Sequence, residues 1–333
     1  MSTILYLTQI QFEFGAVRLL ASECERVGIR RPLVVTDAGV RAAGVLQKAL
    51  DALADLPVTV FDQTPPNPTE ASVRAAHEVW QASGCDGLIA VPTTAGTGSE
   101  VARGAIVIVD DGRKLGFHSW NLMPKAAILD PELTLGLPPM LTAATGMDAI
   151  AHCMETFMSA AFNPPADGIA LDGLERAWAH IERATKDGSD REARLNMMSA
   201  SMQGAMAFQK GLGAVHSLSH SLGGVNPKLH HGTLNAMFLP AVVAFNAEAE
   251  SMQKDRRLAR MAHAMGLGSQ GDIPAAIKDM NARLGLPTGL AALGVQREWF
   301  DKVITGAMAD HCHKTNPRVA TPEQYRALLE ASM

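Results

Sequence analysis

The pattern of apolar and polar positions changes character along the chain. In the first part, short β-branched runs alternate with stretches of helical period. PLVVTD (32–37) and VTVFD (58–62) read as buried strands, and VRAAGVLQKALDALADL (40–56) and EASVRAAHEVWQASG (70–84) as helices. Strand and helix in alternation predict a parallel sheet covered on both faces. GCDGLIAVPTTAGTGSE (84–100) then predicts a strand giving way to a loop rich in Gly, Thr and Ser. AIVIVDDGRKLGFHSW (105–120) predicts a hairpin about Asp111 and Gly112, and AAILDPEL (126–133) the last strand. From Pro138 onward the pattern is helical, entered at Pro138-Pro139, with glycine-containing breaks near 188, 223, 266 and 285. This change of texture divides an α/β domain (1–137) from an all-helical domain (138–333). The 333 residues are enough for two cores.

Composition narrows the classes. A formal net charge of −5, with lysine and arginine scattered along the chain, gives no stripe for a phosphate backbone, so nucleic acid is not expected as a partner. The four cysteines, Cys24, Cys85, Cys153 and Cys312, have no CxxC spacing, which argues against a zinc knuckle and a disulfide framework and for a reducing cytosol. MSTILYLTQIQFEF has no basic leader and carries Glu13 soon after its apolar residues, and no apolar run approaches the roughly 20 residues of a membrane helix. A soluble, cytoplasmic protein is expected, with no membrane partner.

The chemistry lies in the helical part. GMDAIAHCMETF places Asp148 and His152 four residues apart, one above the other on a helix face. AVHSLSHSLGG repeats that geometry with His216 and His220, and LHHGTLNA adds His230 and His231 at the start of another helix. A lone histidine on an apolar face is more often a hydrogen-bonded core residue than a ligand. Here four of the eleven histidines fall between 216 and 231, with an acid–histidine pair upstream. One carboxylate and several imidazoles suit Fe2+ or Zn2+ rather than Mg2+ or Ca2+, which prefer oxygen shells.

These stretches resemble the iron-containing, or group III, alcohol dehydrogenase family. PTTAGTGSEV (92–101), GMDAIAHCMETF (146–157), VHSLSHSLGG (215–224), HHGTLNAMFLP (230–240) and DHCHKTNPR (310–318) stand in the family's order along nearly the whole chain. The resemblance implies a dehydroquinate synthase-like fold, with a nucleotide-binding α/β domain followed by a helical domain and metal and substrate in the cleft between them. It implies as metal ligands Asp148, His152, His216 and the histidine before Gly232, His231; a gapless count from Gly223-Gly224 selects His230 instead. His220 resembles the residue that hydrogen-bonds or relays a proton near the substrate. Thr93, Thr94 and Gly96 match the loop that meets the phosphates and nicotinamide, Lys114 a ribose contact, Leu133 an apolar contact and Asn67 a further nucleotide contact. Asp37 sits where the family discriminates between cofactors, and a carboxylate there favours NAD over NADP. Phe208 is a candidate for lining the substrate pocket. The expected reaction is interconversion of a small alcohol or diol with its aldehyde or ketone, using NAD(H) and Fe2+ or Zn2+ in a homodimer.

One family landmark is missing. After a strand like GCDGLIA the family has a GGGS phosphate-binding turn and a helix, whereas here GLIA runs straight into VPTTAGTGSE. Two parallel strands need a crossover of about a dozen residues. Either one strand is gone or a segment between Ala90 and Pro92 belongs to the natural protein, and the second is expected. Two further readings follow: a metal-binding protein of this fold that lost dinucleotide binding with the turn, and a lyase of the dehydroquinate synthase type. TTAGTGSE with the Asp-His and His-His pairs favours the dehydrogenase over the lyase.

Overall fold

The computed structural model describes residues 8–268 and 271–333. The first seven residues of the N-terminal stretch considered above lie outside them. The chain forms two compact units. One comprises residues 8–93 and Ser99–Gly136, the other Thr94–Gly98 and Leu137–Met333.

The first unit carries the strands. β1 (Gln9–Phe12), β2 (Leu33–Val35), β3 (Thr59–Phe61), β4 (Gly104–Ile108), β5 (Lys114–His118) and β6 (Ala126–Leu129) are interleaved with helices α1 (Leu20–Val27), α2 (Ala38–Ala42), α3 (Val45–Ala52) and α4 (Glu70–Ser83). β1 pairs with β6 and β2 with β3, both in parallel. β4 and β5 form the antiparallel hairpin expected about Gly112. The run 40–56 is not one helix. Gly44 adopts a φ of +74°, a left-handed conformation that ends α2 and starts α3.

One segment spans the place of the missing crossover. Gly87 bridges Pro32 and Ala90 bridges Ala127, both in parallel, so residues 87–90 join the β2–β3 pair to the β6–β1 pair. This segment thus has a strand neighbour on each side. Its cover is incomplete: Val35 is 44% exposed and Leu88 55%, where a parallel sheet ordinarily carries helices on both faces. The core of this unit lies beneath, where Val17, Leu20, Cys24, Leu53, Ile128 and Leu133 pack together.

The second unit is helical: α5 (Pro139–Met158), α6 (Pro164–Lys186), α7 (Arg191–Met206), α8 (Ala214–Val225), α9 (His231–Asn246), α10 (Glu250–Lys254), α11 (Arg257–Ala264), α12 (Ile273–Arg283), α13 (Phe300–Ala309) and α14 (Pro322–Ala331). Glycines 188, 266 and 285 fall between helices, but Gly223 lies inside α8. A glycine costs a helix about 1 kcal/mol, which burial of this face offsets, and α8 ends instead at Asn226, just before Pro227. α5 is the central element, buried at nearly every position from Thr142 to Met158. No helix among the described residues is long and apolar enough to cross a membrane.

Candidate metal centre

Three helices bring the ligand candidates together, all within the helical unit. α5 presents Asp148 and His152 on one face, with His152 Nε2 3.4 Å from Asp148 Oδ1. α8 brings His216 Nε2 to 3.7 Å from the same oxygen, and α9 brings His231 Nε2 to 3.7 Å. Gly232 permits that approach, because a Cβ there would lie 2.2 Å from the Ala144 carbonyl oxygen of α5. The adjacent histidines are placed differently. His231 opens α9 and faces Asp148, while His230 is exposed and caps the helix, accepting from the Thr233 N–H at 3.4 Å.

This donor set fits a transition-metal ion. Metal–nitrogen and metal–oxygen bonds of about 2.0–2.2 Å place neighbouring ligand atoms roughly 3–3.5 Å apart. The distances from Asp148 to the three imidazoles lie at or just beyond that range. The Asn235 amide nitrogen stands among the same atoms, donating to Asp148 Oδ1 at 2.6 Å and lying 3.2 Å from both His216 Nε2 and His231 Nε2. Its own Oδ1 is buried without a hydrogen-bond partner.

The electrostatics agree. Burial alone would raise the Asp148 pKa, but His152, His231 and His216 outweigh it and hold the carboxyl well below the usual carboxylate range. Burial pushes His152 down to about 4 against the pull of Asp148, leaving a neutral imidazole fit for a metal. At His216 burial is overcome by Asp148 and Glu155, and the pKa rises to about 9.

Two residues outside that candidate set position histidines of α8. Glu155, seven residues after Asp148 on the same helix, accepts the Val215 N–H at 2.8 Å and meets His216 Nδ1 at 2.5 Å. It thereby caps the start of α8 and orients its first histidine. Asp310 meets His220 Nδ1 at 3.0 Å. Burial would raise its pKa, but His220 and His311 prevail and lower it. Helical spacing signalled Glu155, which follows Asp148 and His152 as i, i+4, i+7; nothing local signalled Asp310. His220 stacks on His231 with ring centroids 5.3 Å apart. Phe208 meets His152 edge-on at 4.8 Å.

The cofactor candidates are placed differently. In the first unit Lys114 Nζ donates to Asn67 Oδ1 at 2.8 Å, so these two are brought together. Asp37 caps α2 through Oδ1, which accepts the Gly39 and Val40 N–H groups at 2.7 and 2.9 Å. Leu133 is packed into that unit's core. Thr93 and Thr94 are half-buried on the loop. Gly96 is buried against α5, where a Cβ would lie 2.7 Å from the Thr145 Cβ, so only glycine brings the loop this close.

Comparison with known proteins gives the family. The sequence profile described as "Fe-containing alcohol dehydrogenase family, C-terminal" matches residues 142–333, and that described as "Iron-containing alcohol dehydrogenase" matches in two pieces, 8–91 and 87–131. The 4-hydroxybutyrate dehydrogenase of Cupriavidus necator is 60% identical over 382 aligned positions, covering 100% of both chains. The NAD-dependent methanol dehydrogenase of Bacillus methanolicus is 31% identical, covering 96% of each. Among solved structures, that of a 1,3-propanediol oxidoreductase superposes with a TM-score of 0.92 at 29% identity, covering 99% of this chain and 100% of the other. The fold is that of the iron-containing alcohol dehydrogenases, with an α/β unit that carries a parallel sheet and a helical unit. The chain belongs to the iron-containing alcohol dehydrogenase family, whose chemistry is oxidoreduction of alcohols.

Proposed function

We propose that the protein is a metal- and NAD(H)-dependent oxidoreductase that interconverts an alcohol with its aldehyde or ketone, and that short hydroxy acids of the 4-hydroxybutyrate type are its first candidate substrates. The observation that carries the reading is the convergence of Asp148, His152, His216 and His231 on one buried point. A divalent ion held by these residues supplies Lewis acidity to an alcohol or carbonyl oxygen. The chain's own residues do the rest. Asp148 contributes the negative charge that retains a cation, and Glu155 keeps His216 aligned. Phe208 shields His152, and His220, held by Asp310, offers a polar edge beside His231. The 60% identity to a 4-hydroxybutyrate dehydrogenase supports the hydroxy acid, and the free state of all four cysteines fits work in a reducing cytosol. We take the acting form to be a homodimer.

The test is an activity panel of 4-hydroxybutyrate, 1,3-propanediol and short primary alcohols, with NAD+, on protein loaded with Fe2+ or Zn2+. Metal-dependent NADH formation is expected and is lost to chelator; no turnover of any alcohol or aldehyde with metal bound would sink the proposal. One finding favours a second reading. The profile matches in two pieces that meet at 87–91, and the alignment to the C. necator enzyme has 382 positions against 333 residues, which supports placing the absent pyrophosphate turn at that break. A metal protein that no longer binds dinucleotide would show no quenching or enhancement of NADH fluorescence on titration, whereas the dehydrogenase binds NADH saturably.

Cofactor preference is testable at Asp37. Its Oδ1 serves as the α2 cap and its carboxylate charge repels a 2′-phosphate. Glycine is itself a tolerable cap, at a cost of a few tenths of a kcal/mol. Asp37→Gly is therefore expected to fold and to shift the NADH to NADPH ratio of kcat/KM toward NADPH by roughly tenfold. An unchanged ratio would remove Asp37 from that role.

A further inference from the structure

Beside the first centre lies a second set of metal donors. Asp310, His311 and Cys312 follow α13 directly and meet His220 of α8, and one ligand atom from each of the four lies within 4.8 Å of all the others. We propose that His220, Asp310, His311 and Cys312 form a second metal site, separate from the alcohol-dehydrogenase centre, that takes a thiophilic divalent ion of the zinc type.

The donor chemistry makes the choice of ion. Two imidazole nitrogens, a carboxylate oxygen and a sulfur are a zinc set, whereas Asp148, His152, His216 and His231 offer only nitrogen and oxygen. Two of the pairs already stand near the separation a tetrahedral ion requires, inside a cluster bounded at 4.8 Å. His220 Nδ1 lies 3.0 Å from Asp310 Oδ2, and His311 Nε2 lies 3.3 Å from Cys312 Sγ. Bonds of about 2.0–2.3 Å set tetrahedral edges of roughly 3.3–3.8 Å, so small side-chain adjustments admit an ion.

The backbone holds the set in place. The Cys312 N–H donates to Asp310 Oδ1 at 2.8 Å, a tight turn that aims neighbouring side chains at one point. α13 approaches α8 closely because Gly306 faces Ser221, whose Oγ donates to the Val303 carbonyl at 2.8 Å. Access is from one side: His220 and Cys312 are buried, while the His311 side chain is 37% exposed. Binding releases the Cys312 thiol proton to solvent and moves the His220 ring proton from Nδ1, where it is donated to Asp310, to Nε2, so that Nδ1, the carboxylate and the thiolate can all ligate, and nothing is oxidised or reduced. The two sites share no ligand, although the His220 and His231 rings stack.

Cobalt separates the sites spectroscopically, because only the second contains sulfur. The purified chain is titrated with Co2+ alone and followed by near-ultraviolet and visible absorption. Two equivalents are expected, one of them with an intense thiolate-to-cobalt charge-transfer band. Cys312→Ala is expected to lose that band and one equivalent while keeping the other, and His311→Ala to weaken the band-forming equivalent at least tenfold. If Cys312→Ala does not fold, Cys312→Ser, nearly isosteric, serves the same purpose. Asp148→Ala reverses the outcome, losing the band-free equivalent and retaining the band. Absence of the band in the parent chain, or its persistence without Cys312, overturns the second site. Loss of turnover with the band intact bears on the dehydrogenase reading alone.

Discussion

Alanine at Asp148 or at His216 is expected to abolish stoichiometric binding of Fe2+ or Zn2+ and to lower kcat/KM by roughly a thousandfold, about 4 kcal/mol of transition-state stabilisation. Asp148 is the only anion among the four donors, and its Oδ1 is the atom on which the three imidazoles converge. Without it, three imidazoles face one another with no negative charge to retain a cation. Without His216 the set loses the donor that Glu155 orients from behind. The adjacent histidines give an internal control. His231→Ala is expected to lose the metal, whereas His230→Ala keeps it and destabilises only the start of α9, by about 1 kcal/mol. Metal content by elemental analysis, beside circular dichroism to confirm folding, decides the matter. Full occupancy in both Asp148→Ala and His216→Ala would refute the site, and retention in His231→Ala with loss in His230→Ala would reassign the ligand.

Much of this was legible because helical spacing is a strong local signal. Asp148 and His152 stand at i and i+4 on α5, and His231 follows a run whose capping residue, His230, marks where α9 begins. Helix and strand alternation likewise gave β2, β3, α4 and the hairpin at Gly112 their places. What was not legible depends on contacts distant in sequence. Asp310 meets His220 across 90 residues, and Asn235 enters the donor cluster from 87 residues beyond Asp148. Gly223 reads as a breaker, yet α8 continues through it because packing outweighs a propensity of about 1 kcal/mol. Leu133 packs in the core with Val17 and Ile128, a placement that its motif alone did not show.

Glutamine at Glu155 is expected to weaken metal binding by roughly 10–100-fold while leaving the fold intact, because the site depends on which nitrogen of His216 carries the proton. Glu155 receives two donors, the Val215 N–H on Oε1 and His216 Nδ1 on Oε2. A carboxylate accepts both, which leaves the His216 Nε2 lone pair facing Asp148 and the ion. Glutamine has one acceptor and one donor end. If its oxygen stays on Val215, its amide N–H faces Nδ1, which must then accept, and the ring proton moves to Nε2, on the metal side. If it flips, two N–H groups collide at the start of α8. The first arrangement opposes coordination, and the second keeps the Nε2 lone pair on the metal side but leaves a buried donor unpaired at about 1–3 kcal/mol. A pH profile separates this from a simple loss of stability. In the metal-free protein His216 titrates at about 9, raised by Asp148 and Glu155 against burial, so below that pH an ion must displace its proton. Apparent metal affinity should therefore rise with pH by about tenfold per unit up to about 9 and then level off. Glu155→Gln removes one of the two carboxylates that hold that proton, and its plateau should begin at lower pH although its limiting affinity is weaker. A parallel loss of affinity at every pH, with the plateau unmoved, would show that Glu155 only supports the helix and does not set the protonation of His216.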